Sequence, residues 1–367
     1  MHVSGIELIP VRATERTVWL IVRLTTDEGS TGLGEASDAF GFANTTKQDA
    51  LRMESELQDF FGLVKGVAPA DVEAYVRAAV PAAITGGLVS ATAASAIEQA
   101  LWDLAGQALE VPVHQLLGPR LRDVLPVYAN INRASKPRTP VGFAATAKRA
   151  VADGFRAIKA ATFDGYPATT VEDGIACMFA IRDAIGPDVN LMVDCHAFFD
   201  VELAKEVARR LEPCNLTWYE EPVPPGNTGD TLEVRKSIRQ KMAGGELLFG
   251  TRGFEALCQI RAVDLIMPDV KHCGGLLELT RIASMALAHG IDVAPHNPSG
   301  PVATAASVQV CAGLQNFRSL ELQWGEVDWR GDLLIPGEQF RSGTIQIPNR
   351  PGFGIRLNDP LAAAHSL

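Results

Sequence analysis

Six ionisable side chains recur in the second half of the sequence at nearly constant spacing: Asp194, Glu220, Glu246, Asp269, His296 and Glu321. Each follows or ends a short apolar segment, and successive members are 26, 26, 23, 27 and 25 residues apart. A single charged residue in such a place is usually a solvated loop residue. Six in phase indicate a common site, because burying several charges together is costly unless a metal or a substrate neutralises them.

The first three members of this series predict a metal site. Asp194, Glu220 and Glu246 end consecutive strand-like segments and offer carboxylate oxygens. Magnesium prefers such hard ligands and keeps positions open for water and a substrate carboxylate, whereas zinc prefers nitrogen or sulfur. We therefore expect Mg²⁺ as the cofactor, bound by these three side chains.

Two histidines could move protons beside that metal. Asp194 and His196 are two residues apart on a predicted strand, which would place both side chains on one face. Asp269 and His296 end neighbouring predicted strands, where a carboxylate can orient an imidazole and increase its basicity. Lys159 lies on a further predicted strand and adds a cation to the same region. For each histidine, a purely structural hydrogen bond is the alternative.

The elements that must position these residues form the pattern of a parallel barrel. From Leu125 onwards, short apolar segments alternate with helical segments such as 201–211 and 276–289. Strands are predicted at 125–131, 157–163, 190–196, 216–221, 241–246, 264–269, 291–296 and 319–323. Eight strands within about 200 residues favour a closed (β/α)7β-type TIM barrel, whose strand ends meet at one catalytic mouth.

The first part of the chain predicts a separate α+β capping domain. Strands are expected at 6–11, 18–24 and 33–37, and helices at 46–61, 69–80 and 90–110. The expected division is a capping domain at 1–122, a catalytic barrel at 123–335 and a segment at 336–367 that returns to the capping domain.

Composition narrows the class of function. With 367 residues and a net charge of −10, the chain has no basic stripe for nucleic acid. We also expect no membrane attachment, because no apolar run approaches about 18 residues and the start does not resemble a signal peptide. The six cysteines form no CxxC pair and are expected to be reduced and buried. We expect a cytoplasmic homo-oligomer whose partner is a small-molecule carboxylate.

These motifs together resemble the enolase superfamily, within it the mandelate racemase subgroup, over nearly the whole chain. The matching segments are SAIEQALWDLAGQALEVPVHQLLG in the capping domain and WYEEP, GGE, PDVKHCGG and APHNPSGPV on the barrel. The resemblance implies that Asp194, Glu220 and Glu246 are metal ligands. It also implies that His296 and Asp269 form the base dyad and that protonated Glu321 donates a hydrogen bond to the enolate.

One departure from the family pattern bears on the reaction. Many relatives carry Lys-x-Lys on the second strand, but here Lys159 is followed by Ala161, so a lysine base is missing and racemisation by two bases is disfavoured. The Asp194-x-His196 pattern resembles galactonate- and mannonate-type sugar acid dehydratases, in which such a histidine protonates the departing hydroxyl. The expected activity is a magnesium-dependent dehydratase of an aldonate or aldarate. It would use Lys159 with the metal to hold the substrate carboxylate and give a 2-keto-3-deoxy acid through a metal-stabilised enolate.

Other functions remain possible at this point. An epimerase, racemase or lactone cycloisomerase would use the same enolate and differ in product. A barrel metallohydrolase would show His-x-His at the end of strand one, where this chain has YANIN. A non-catalytic sugar-acid-binding protein would have no use for the base dyad.

Substrate identity depends on capping loops expected at 12–17 and 36–47. Candidate substrate contacts are Lys271 and His272, and also Phe40 and Phe42, which could instead pack in the core.

Overall fold

A computed structural model describes residues 1–41, 45–165, 168–338 and 340–367. The chain begins with a three-stranded antiparallel sheet of β1 (Val3–Arg12), β2 (Val18–Thr26) and β3 (Thr31–Glu35). Three helices follow, α1 (Lys47–Phe61), α2 (Val72–Ala108) and α3 (Val113–Leu117). Gly34 lets β3 lie directly on α2, since a Cβ there would be 2.0 Å from the Ala96 carbonyl oxygen.

Helix α2 contains both helices expected in this part of the sequence, as two arms that meet at a kink. The segments at 69–80 and 90–110 are joined across a kink at Gly87, whose φ of 71° only glycine adopts easily. By length and mean hydropathy α2 could cross a membrane, yet 56% of its most apolar window is buried. It packs on β3 and α1 and contacts the barrel. A buried core helix explains this composition.

The barrel alternates strands and helices through the rest of the catalytic part. The strands are β4 (Val124–Asn130), β5 (Ala157–Ala160), β6 (Asn190–Asp194), β7 (Trp218–Glu220), β8 (Met242–Gly244), β9 (Leu265–Ile266), β10 (Asp292–Val293) and β11 (Leu320–Gln323). The intervening helices are α4 (Pro140–Ala152), α5 (Val171–Ile185), α6 (Val201–Arg210), α7 (Thr228–Ser237), α8 (Gly250–Gln259), α9 (Gly275–Ala288) and α10 (Pro301–Cys311). The eight strands and seven intervening helices found within the described residues confirm the (β/α)7β prediction.

The sheet closes on itself. Strands β4 to β10 pair in parallel in chain order, and β11 pairs with β4. At the other edge, β10 meets the segment before β11 through the bridge between Val293 and Phe317. The observed strands are shorter than predicted at several C-terminal ends, because the chain leaves the ladder to form the loops that carry functional side chains.

The last part of the chain contributes small elements that contact both the barrel and the N-terminal sheet. It contains β12 (Leu334–Ile335), β13 (Phe340–Arg341), β14 (Thr344–Gln346), β15 (Arg356–Leu357) and α11 (Asp359–Ala364). Strand β14 pairs with the N-terminal end of β4, and β12 pairs with β15. Helix α11 contacts β1, and Ser366 forms a bridge with Val11.

Carboxylates of the N-terminal part cap two barrel helices. Glu98 on α2 accepts hydrogen bonds from the backbone N–H groups of Leu276 and Leu277 at 2.8 and 2.9 Å, at the start of α9. Glu35 accepts from Gly300 and Ala303 at 2.7 and 2.8 Å, at the start of α10. These carboxyl oxygens accept hydrogen bonds from backbone N–H groups that have no partner within their own helix. They attach the sheet and α2 to the loops that follow β9 and β10.

Candidate active site

Three carboxylates meet at the C-terminal mouth of the barrel. Asp194 is the last residue of β6, Glu220 is the last residue of β7, and Glu246 follows β8 by two residues. Each offers an oxygen within 4.8 Å of the others, and all three residues are buried. This convergence follows from the parallel register, in which Asp194 lies opposite Glu220.

The donor set fits a hard cation. Oε2 of Glu246 is buried and accepts no hydrogen bond from the described residues, although Nε2 of His296 is 3.2 Å away. A buried carboxylate oxygen without a donor is costly unless a cation satisfies it. Three carboxylates without a cysteine match the ligand preference of magnesium more closely than that of zinc. The neighbouring Glu221 accepts hydrogen bonds from the backbone N–H groups of Gly245 and Glu246, so it supports the loop that carries the third carboxylate of the cluster.

Lys159 lies among the carboxylates. Its Nζ is 2.5 Å from Oε1 of Glu220, 3.3 Å from Oδ2 of Asp194 and 2.9 Å from Oε1 of Glu321. Burial opposes its charge, but Glu220 and the other carboxylates hold the pKa of Lys159 well above its usual range. The side chain therefore stays cationic within the site.

His296 and Asp269 form the expected dyad. Nδ1 of His296 is 2.7 Å from Oδ2 of Asp269, and the same oxygen accepts a hydrogen bond from Nζ of Lys271 at 2.9 Å. Burial alone would raise the pKa of Asp269, but Lys271 holds it below the usual range. Burial likewise opposes protonation of His296, but Glu246 and Asp269 raise its pKa. The dyad thus presents a basic imidazole oriented by a permanently ionised carboxylate.

His196 reaches the site by a route that strand alternation did not predict. Strand β6 ends at Asp194, and His196 lies in the following turn with a φ of 47°. The premise that both residues share one strand is wrong, yet Nε2 of His196 is 3.1 Å from Oδ2 of Asp194. Its Nδ1 is 2.6 Å from Oδ1 of Asp164. Burial opposes protonation, but Asp194 and Asp164 raise the pKa of His196 well above its usual range, which favours a proton donor.

Glu321 is surrounded by donors. Oε1 accepts from Asn130 Nδ2 at 2.7 Å and from Lys159, while Oε2 accepts from the backbone N–H of Asn297 at 3.0 Å. Burial would raise its pKa, but Lys159, His296 and the backbone N–H of Asn297 keep the pKa of Glu321 below its usual range. Its contacts therefore favour the carboxylate, in contrast to the protonated donor that the family resemblance implies.

A cavity of about 690 Å³ opens above these groups. Asp194, His196 and His296 lie at its base, and its walls include Thr14 to Val18, Asp38, Gly41 and Thr45, from the loops expected to face the substrate. The remaining wall comes from residues 130–138, from Asp164, Gly165 and Phe198, and from Pro298, Gln323 and Glu326.

The other proposed substrate contacts lie apart from this cavity lining. Lys271 is fully buried behind Asp269. His272 hydrogen-bonds Thr92 of α2 at 2.8 Å, and burial lowers its pKa to about 4. Phe40 packs on the core formed by the N-terminal sheet, α1 and α2. Phe42 is outside the described residues.

Asp38 lies in the capping loop expected at 36–47, but five charged residues of the described wall escaped the sequence argument: Arg133, Lys136, Arg138, Asp164 and Glu326. None of these five residues belongs to the series of ionisable residues that recurs once per βα unit. The spacing that predicted the barrel mouth therefore could not indicate them. Residues 130–138, which include Arg133, follow the first barrel strand, and that position alone could have indicated a wall residue.

Comparisons with known proteins agree with this geometry. Residues 142–361 match the enolase C-terminal domain-like family, and residues 7–118 match the mandelate racemase / muconate lactonizing enzyme N-terminal domain. A D-xylonate dehydratase of Haloferax volcanii is 32% identical over 95% of this chain and 85% of its own length. A D-galactonate dehydratase of Xanthomonas campestris is 30% identical over 94% of this chain and 90% of its own.

Solved structures extend the likeness to the whole fold. The crystal structure of a putative dehydratase from Mesorhizobium loti superposes with a TM-score of 0.90 at 28% identity, covering 100% of this chain and 99% of that one. One from Zymomonas mobilis gives a TM-score of 0.90 at 29% identity, covering 100% and 98%. With matched N- and C-terminal domains and a carboxylate triad at the barrel mouth, this chain belongs to the mandelate racemase/muconate lactonizing enzyme family of the enolase superfamily.

Proposed function

We propose that the protein is a dehydratase of acid sugars that gives a 2-keto-3-deoxy acid. The observation that carries this proposal is the placement of two carboxylate-paired histidines at one cavity. His196 follows β6 and His296 follows β10, four strands apart in a barrel of eight, so they face each other across the mouth. Removal of an α-proton and loss of a β-hydroxyl require a base and an acid in such separate positions.

The similar proteins support this reaction class. Relatives named D-xylonate and D-galactonate dehydratase match almost the full length of the chain. Ala161, directly after the strand of Lys159, offers no base, which weakens the alternative of two-base racemisation.

We propose Mg²⁺ as the cofactor, held by Asp194, Glu220 and Glu246. When bound, it supplies positive charge that stabilises the negative charge developing on the substrate carboxylate. Lys159 adds a second cation on the same side and helps to orient that carboxylate.

The side chains of the chain divide the proton transfers. His296 accepts the α-proton at Nε2, because its Nδ1 is engaged by Asp269. His196 donates its Nε2 proton to the β-hydroxyl, which departs as water, while Asp164 retains the hydrogen bond at Nδ1. The resulting enol then tautomerises to the 2-keto acid.

Screening a panel of acid sugars in the presence of magnesium tests the proposal. Product would be detected as the semicarbazone of a 2-keto acid, and α-proton exchange would be followed by NMR in D2O. We expect keto acid from at least one member of the panel. Inverted substrate without keto acid would assign the enzyme to the epimerases, and an opened lactone would assign it to the cycloisomerases.

A further inference from the structure

We propose that the cavity selects acid sugars with a single carboxylate and a neutral hydroxyl end, and excludes those with a carboxylate at both ends. The inference rests on the proposed function, since it assumes that the first carboxylate lies at the metal ligands. It is drawn from the ion-paired wall formed by Asp38, Arg133, Glu326, Arg138 and Asp164.

The central cation of this wall is already engaged. The guanidinium of Arg133 is 3.2 Å from Oδ1 of Asp38 and 3.3 Å from Oε2 of Glu326. The side chain of Glu326 is only 2% exposed and also accepts a hydrogen bond from the hydroxyl of Thr17. A buried carboxylate of this kind depends on its cationic partner. Arg133 therefore already contacts two anions before any ligand enters, and Asp38 is also 3.4 Å from Nζ of the buried Lys271.

The second arginine of the wall is committed in the same way. Arg138 donates to Oδ2 of Asp164 at 2.9 Å and to the carbonyl oxygens of Asn132 and Ala161 at 3.0 and 2.5 Å. Asp164 in turn accepts from His196. Capture of a substrate carboxylate by Arg138 would compete with the contact that orients His196.

The charge of the wall balances as a whole. Apart from Asp194 and the two histidines, the described lining contains four basic residues, Arg16, Arg133, Lys136 and Arg138, and four acidic ones, Glu15, Asp38, Asp164 and Glu326. The residues outside the described ranges, 42–44, 166–167 and 339, carry no charged side chain. A second substrate carboxylate would thus add an uncompensated negative charge beside Asp38 and Glu326, and such like-charge contacts suppress binding strongly.

A hydroxyl end meets no such penalty. Sugar hydroxyls both donate and accept hydrogen bonds, and an Asp-Arg-Glu group offers acceptors and donors side by side. The carboxamides of Asn130 and Gln323, which also line the cavity, extend this neutral polar surface. Lys136 is an exposed residue of the same wall and forms no ion pair with the described residues, so it is a cation that a second carboxylate could still reach.

Matched pairs of acid sugars test the inference. Each pair shares every stereocentre and differs only at the last carbon, a hydroxymethyl group against a carboxylate, as in D-gluconate and D-glucarate. With magnesium present, kcat/KM would be measured on the wild type. Equilibrium binding would be measured on His296→Asn, which should not turn the ligands over. For the preferred pair, we expect kcat/KM for the monoacid to exceed that for the diacid by at least ~100-fold, and we expect the monoacid to bind more tightly than the diacid.

Two variants make the assignment specific. Glu326→Gln removes one anion from Arg133 and should improve the diacid relative to the monoacid by about 10-fold or more. Glu255→Gln on the surface of α8, outside the cavity lining, should leave that ratio unchanged. Equal use of both acids, a preference for the diacid, or binding of neither would overturn the inference. A loss of diacid use confined to Lys136→Ala would overturn it as well. Preferential binding of the monoacid without any keto acid or α-proton exchange would support the selective wall and contradict the proposed dehydration.

Discussion

Oδ1 of Asp164 lies 2.6 Å from Nδ1 of His196, so a carboxylate from the loop after β5 holds an imidazole from the turn after β6. The second ring nitrogen of His196 faces Asp194 at 3.1 Å. This arrangement mirrors the pair of His296 and Asp269 across the mouth, where Nδ1 is likewise engaged and Nε2 lies 3.2 Å from Glu246, a proposed metal ligand. The proposed acid and the proposed base are therefore each a histidine held by a carboxylate at Nδ1.

Asp164→Asn should slow dehydration while sparing deprotonation. The amide retains an oxygen that can accept from Nδ1, but it removes the negative charge that favours the imidazolium. We expect kcat for keto acid formation to fall by about 10-fold, the scale of lost support for a functional histidine. Exchange of the substrate α-proton, followed by NMR in D2O, should remain near the wild-type rate. An equal fall in both rates would show that Asp164 does not act through His196.

His196→Asn should separate the two half-reactions more sharply. If His196 is the general acid, keto acid formation should fall by ~10²-fold or more, while α-proton exchange through His296 persists. The semicarbazide assay and deuterium incorporation would be measured on the same samples. Magnesium affinity serves as the control, because Asp194 is a neighbour of the substituted side chain. Parallel losses with unchanged metal affinity would contradict the division of labour.

His296→Asn should abolish both keto acid formation and exchange of the substrate α-proton. Removing the general base costs about 10²–10⁴-fold, and Ala161 cannot substitute for it. Asp269→Asn should be impaired too, because it loses the charge that orients and strengthens His296. Retention of α-proton exchange in His296→Asn would indicate a different base.

Glu246→Gln should abolish tight magnesium binding. The substitution removes one of three anionic ligands and leaves side-chain volume almost unchanged. Titration calorimetry with magnesium would measure the effect, with Glu255→Gln on the surface of α8 as the matched control. Wild-type affinity in Glu246→Gln, with intact activity, would remove this residue from the metal site.

Glu98→Gln should change how stability depends on pH. Burial raises the pKa of Glu98 to about 7 from a usual 4.5, so its favourable contribution is complete at low pH and is lost as pH rises through about 7. The free energy of unfolding of the wild type relative to the variant should therefore fall by up to about 3 kcal/mol as the pH rises from the usual pKa of 4.5 to the raised pKa of about 7. Chemical denaturation at several pH values would measure it. A pH-independent difference would show that Glu98 is not protonated in this window.

The sequence alone predicted the architecture and the chemical core. A charged residue at the end of each apolar segment, repeated once per βα unit, determines that the side chains meet at one mouth, because parallel strands end on the same side. Asp194, Glu220, Glu246, Asp269 and His296 could be placed in this way. Asp194 and His196 show the limit of reasoning from strand alternation. Their side chains meet as expected, but β6 ends at Asp194 and His196 lies in the following turn.

Only the tertiary structure decided which charges are paired and which groups face the substrate. Arg133 meets Asp38 across 95 positions and Glu326 across 193 positions of the sequence. The ionised state favoured for Glu321 depends on Lys159 of β5 and on His296, which follows β10. Local periodicity determines which face of an element is buried, but contacts between loops depend on how the barrel closes and where the N-terminal sheet and α2 lie on it. The catalytic groups therefore follow from the repeat of the chain, whereas the selectivity of the cavity follows from ion pairs that form only in the folded molecule.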